Sequence, residues 1–95
     1  MNLAETLRQE QRDNFYKIKD EIAKLLTEKI RKGEIGITIA FEYHDPEGTV
    51  NYHKYLREWW SVSTKHKIPL IEYLKSEGFV VKQGNLYCDN IEVTL

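Results

Sequence analysis

The sequence predicts an α+β fold: a long N-terminal helix and a second short helix packed on a small antiparallel sheet of three to four strands. Three observations carry this. Apolar residues recur at spacings of three and four over residues 3–32. Residues 35–43 alternate strictly between apolar and small or polar side chains. Residues 79–95 form short apolar runs broken by Gly, Asn and Asp.

The first helix is expected to start after Asn2, which can cap it, with Glu5 placed as in a capping box. Leu3, Leu7, Phe15, Ile18, Ile22, Leu25 or Leu26, and Ile30 line one face, and Gly33 suits the C-terminal cap. At about 1.5 Å per residue such a helix runs about 45 Å. A domain of this size has a radius of gyration of only about 12–13 Å. Part of the helix is therefore expected to protrude or bend. The apolar stripe lapses over "RQEQRDN", residues 8–14, where Asp13 could cap a fresh start. Residues 15–32 are expected to pack on the core, and residues 1–12 are read as a protruding helical arm, a short separate helix or a partner-binding element of one domain spanning 1–95.

Ile35, Ile37, Ile39, Phe41 and Tyr43 form the apolar face of the clearest strand, and "HDPEG" after it reads as a turn. Residues 51–61 are ambiguous. A short hairpin return over Thr49–Tyr52 is expected, then helix or irregular structure, then a loop over residues 61–67. Pro69 suits the first turn of the second helix, residues 69–77, and Gly78 ends it. Strands are expected at 79–82, 86–88 and 91–95. The rival architecture is a winged helix, with residues 51–60 and 66–77 as its helix pair.

Composition narrows the function. The chain has 95 residues, 41% apolar and 31% charged, with net charge -1. That balance suits a folded domain and disfavours a general nucleic-acid coat. No apolar run approaches the roughly 20 residues that span a bilayer. The polar N-terminus and single cysteine, Cys88, lead us to expect a cytoplasmic protein.

His44, Asp45, His53, His66, Cys88 and Asp89 are metal ligands in type, but their spacing fits no zinc pattern. There is no glycine-rich phosphate loop and no nucleophile elbow. The expectation is a non-enzymatic protein with no metal, no cofactor and no catalytic residue.

The richest stretch is "YHKYLREWW", residues 52–60, with four large aromatics in nine positions. Adjacent Trp59 and Trp60 cannot share one direction on a helix or a strand. Part of the run should close the core and part should face a partner. Tyr, Trp and Arg are the residues most enriched at binding hot spots. Tyr52, Tyr55, Arg57, Trp59 and Trp60 are therefore the candidate partner-binding residues, and either tryptophan is expected to be removable with the fold mostly intact. Residues 33–53 hold four acids and no Lys or Arg. Of these, Glu42, Asp45 and Glu47 are the candidate acidic rim. The alternative, nucleic-acid reading uses Lys65, His66 and Lys67 in "STKHK".

The pieces Lys32-Gly33-Glu34, Ile35 to Phe41 and "YLKSEGFVV", residues 73–81, give the chain a layout that resembles small phage and prophage accessory proteins. The aromatic middle, residues 49–63, departs from that layout. The resemblance implies a host-takeover or anti-defence protein that binds and inhibits a bacterial defence or replication protein by stoichiometric contact. It transfers no catalytic residue. A homodimer is the second expected partner, because the first helix is longer than the core can cover.

Overall fold

The computed structural model describes residues 2–42, 50–53, 59–85 and 88–95. Its elements are α1 (Leu3–Arg31), β1 (Gly36–Glu42), β2 (Asn51–His53), β3 (Trp59–Ser63), a 3-10 turn (Thr64–His66), α2 (Lys67–Ser76), β4 (Val80–Gln83) and β5 (Asn90–Thr94). The α+β class, the long first helix and the short second helix are those the sequence predicts.

Helix α1 is continuous and does not restart at Asp13. The Asn2 side chain accepts from the Glu5 backbone N–H at 2.9 Å, so the expected cap is in place. Instead of capping, the Asp13 carboxylate accepts from the Gln9 side-chain amide at 3.0 Å, one turn back along the same helix. Both helices end in the same way. Gly33 has φ +95° and Gly78 has φ +92°, the left-handed conformation that glycine adopts without Cβ strain. The Glu34 N–H donates to the Lys29 carbonyl at 3.0 Å, and the Phe79 N–H donates to the Leu74 carbonyl at 3.1 Å. The residues beyond the two glycines then diverge. Phe79 packs into the core, whereas Glu34 pairs with Lys29 at 3.5 Å.

The sheet has five strands in the order β2-β3-β1-β5-β4, and it is mixed rather than antiparallel. β1 pairs with β3 in parallel, with Ile39 opposite Trp60 and Phe41 opposite Val62. The other three pairings are antiparallel. The extra strand and the parallel pair have one cause. Residues 59–63, expected as helix or loop, form β3 and insert between β2 and β1. Trp60 and Val62 point to the helix side, and Trp59, Ser61 and Ser63 point away from it, as strand alternation requires. The winged-helix pair is thereby excluded, since residues 51–53 and 59–63 are strands. The strand expected at 86–88 is not formed at Cys88, which is exposed; Leu86 and Tyr87 lie outside the described residues.

One core lies between the sheet and both helices. Ile18, Ile22 and Leu26 of α1 meet Ile37, Ile39 and Phe41 of β1, Ile91 and Val93 of β5, and Leu70 and Leu74 of α2. Lys19 further ties the helices, lying 4.9 Å from the Tyr16 ring and 5.2 Å from the Tyr73 ring. Gly36 is required at the start of β1, because a Cβ there would overlap the Val93 carbonyl oxygen. The apolar stripe on α1 reaches only from Phe15 to Ile30, and residues 2–13 are exposed on every side of the helix. The longest dimension of the molecule, 47 Å, matches the length of this helix.

Leu26→Ala is expected to lower stability by about 2–5 kcal/mol in urea unfolding, as a fully buried truncation does. Leu7→Ala, in the exposed half of the same helix, should change it by about 0.5 kcal/mol or less. Equal losses would mean that the N-terminal half is packed.

Candidate functional site

Two open clefts lie at the two ends of α1's buried stripe, and the candidate residues divide between them. The first is at the C-terminal end. Tyr52 and Trp60 are direct cross-strand partners of β2 and β3, so their rings meet on one face, tilted by 46° with centroids 4.9 Å apart. Tyr52 is 42% exposed and Trp60 is half-buried against the core. Trp60 in turn lines a cleft of about 290 Å³ with Lys29, Glu34, Ile35 and Glu92. Ile35, at the same cleft, is 79% exposed. The result is an aromatic and aliphatic surface with a charged rim.

The other members of the expected surface fare differently. Trp59 is only 6% exposed, on the sheet face opposite the helices, so it is a buried residue and not a partner anchor. Its truncation should disturb folding, contrary to the sequence-based expectation. The alternation of β3 is the reason: Trp60 takes the helix side, and its neighbour must take the other. Tyr55, Arg57, Asp45 and Glu47 lie outside the described residues, as does the Glu42 side chain.

The second cleft, about 350 Å³, lies between the middle of α1 and the start of α2. Arg8, Arg12 and Phe15 line it from α1; Lys65, His66 and Pro69 line it from the other side. The expected basic trio Lys65, His66 and Lys67 is therefore split. Lys67 turns away and forms an ion pair with Asp89 at 2.6 Å, with the Phe41 ring 5.8 Å from its ammonium. Arg8 and Arg12 were not singled out in the sequence. The one available signal was two like charges four residues apart on a helix, an arrangement that is mildly destabilising by itself.

His66 is the unusual group here. It is 5% exposed, its ring lies 6.2 Å from that of Phe15, and its Nε2 has no hydrogen-bond partner among the described residues. Burial, and then the positive charge of Lys65, hold its pKa below the ordinary 6.5. Among the described residues no three His, Cys, Asp or Glu side chains gather as metal ligands, and no helix is long and apolar enough to cross a membrane.

The sign of the His66 effect is fixed. Above about pH 6.5 the imidazole is neutral in both folded and unfolded chains. As pH falls through that value the unfolded chain takes up the proton first, so stability is lost. Urea unfolding from about pH 7.5 to about pH 5.5 should show a stability loss that His66→Gln reduces. An undiminished loss in the variant would show that His66 is not the group responsible.

Comparison with known proteins returns no matching family model, no similar curated protein and no similar solved structure.

Proposed function

We propose that the chain acts by stoichiometric contact with another protein, docking through Tyr52, Trp60 and Ile35. The observation that carries this reading is the exposure of Ile35 beside a cleft lined by Trp60, with the Tyr52 ring tilted against the indole. Aromatic anchors at the margin of a pocket, ringed by charge, are the arrangement found at binding hot spots. The Lys29–Glu34 pair and Glu92 supply the charged ring. The layout shared with phage and prophage accessory proteins favours a bacterial defence or replication protein as the target, inhibited by occupancy rather than by chemistry. Such a protein works inside the bacterial cell and needs no cofactor.

Self-association is a second reading with its own observation. Leu3 and Leu7, one helical turn apart, are both exposed on the N-terminal half of α1. Sedimentation of wild type and Leu3→Ser/Leu7→Ser separates the two readings, because only a dimer built on this arm dissociates in the variant.

The test of the docking reading is a nuclease-treated pull-down from bacterial lysate with tagged protein, followed by affinity measurement on the partner recovered. Tyr52→Ala and Ile35→Ser should each weaken that complex, the stronger of the two by about 2 kcal/mol or more, while thermal melting stays close to wild type. Wild-type affinity in both variants would remove this surface from the account.

A further inference from the structure

We propose that the cleft between α1 and α2 binds a phosphate group on a ligand of nucleotide size, with the planar part of the ligand against Phe15. This site is separate from the docking surface. Arg12 and Lys29, which line the two clefts, are about 25 Å apart along α1.

The charge in the cleft is the first argument. Arg8, Arg12 and Lys65 converge on it in a chain whose net charge is -1. Among the described residues no Asp or Glu lines it. Of the nearby acids on α1, Asp13 accepts from Gln9, and Glu5 shares the adjoining cleft with both arginines without an ion pair to either among the described residues. Neither Arg8 nor Arg12 makes an ion pair among the described residues. Arg8 and Arg12, one turn apart on α1, repel each other, and an anion held between them and the facing wall converts that repulsion into attraction. Two arginines one turn apart present planar forks suited to phosphate oxygens.

The second argument is the start of α2. His66 occupies the position where Ser, Thr, Asp or Asn usually caps a helix, and its side chain makes no such bond. The 3-10 turn runs straight into α2, with the Lys67 N–H donating to the Thr64 carbonyl, so His66 stands in the first turn of one continuous helical segment that begins beside the cations. His66 is more than nine-tenths buried and lines the cleft, and its Nε2 is unpartnered among the described residues. A buried imidazole without a partner is costly unless something else compensates it.

The third argument is size and wall chemistry. A volume of about 350 Å³ falls at the low end of small-ligand sites. Phe15 from α1, and His66 and Pro69 from the facing side, add ring and apolar surface next to the cations, the Phe15 and His66 planes lying 30° apart. Phosphate beside a flat ring is the chemistry of a nucleotide. A free nucleotide and the 5′-phosphorylated end of a strand both carry it.

The experiment is a two-dimensional amide NMR titration of the full chain with three probes: AMP, adenosine, and a short 5′-phosphorylated oligodeoxynucleotide. AMP is expected to shift amides of residues 8–15 and 64–69, and adenosine is not. A response to the oligonucleotide without one to AMP also supports the phosphate site and assigns the strand end as ligand. Arg12→Glu and Lys65→Glu, both at exposed positions, should weaken binding about tenfold or more and melt close to wild type. No response to either phosphate-bearing probe overturns the proposal. So does an adenosine response equal to that of AMP, or unchanged binding in both variants. Tyr52→Ala should leave the titration unchanged, which keeps this site independent of the docking surface.

Discussion

Ile18, Ile22 and Leu26 of α1, all fully buried, lie against Ile37, Ile39 and Phe41 of the central strand β1. This seam decides where everything else goes. β1 has a strand on both sides and a helix across one face, which buries Ile37, Ile39 and Phe41. The seam covers only the C-terminal half of a 29-residue helix. Its N-terminal end therefore overhangs the core and carries Arg8 and Arg12 to the start of α2. Its C-terminal end stays packed through Ile30 and brings Lys29 and Glu34 beside Trp60 and Ile35. Both clefts are consequences of a long helix resting on a short stripe.

The energetics follow the same division. Each large side chain in the seam contributes on the order of 2 kcal/mol or more by burial, whereas an exposed ion pair such as Lys29–Glu34 contributes about 1 kcal/mol at most. The fold is held by the seam and trimmed by its caps. The overhanging residues are free to serve contacts outside the core, because little stability depends on them. On the far face of the sheet, Ala40, Ser61, Ser63 and Asn90 are buried small or polar residues, and Trp59 is the one large side chain among them. That explains why two adjacent tryptophans have separate fates: Trp60 is available at the margin of the core and Trp59 is enclosed.

What the sequence revealed followed local periodicity. β1 was legible because its alternation is strict, and α1 was legible because its stripe and both caps are local signals. Strand β3 was not. Tyr52, Tyr55, Leu56, Trp59 and Trp60 have spacings that a helix also satisfies, and only pairing with β1, a non-local event, makes residues 59–63 a strand. The parallel pairing was hidden for the same reason. The aromatic surface was half legible: the aromatic run announced it, but which tryptophan lies at the margin of the core depends on the β3 register. The basic cleft was hardly legible at all. Its two walls lie far apart in sequence, and folding takes Lys67 out of the trio by pairing it with Asp89.

The most direct test of the seam is native-state amide hydrogen exchange on the protein alone. The account predicts the slowest exchange in residues 18–30, β1 and β5, and exchange close to that of an unprotected chain in residues 3–13. Protection of residues 3–13 equal to that of the seam would contradict it, because those residues would then be packed against something and the overhang would not exist.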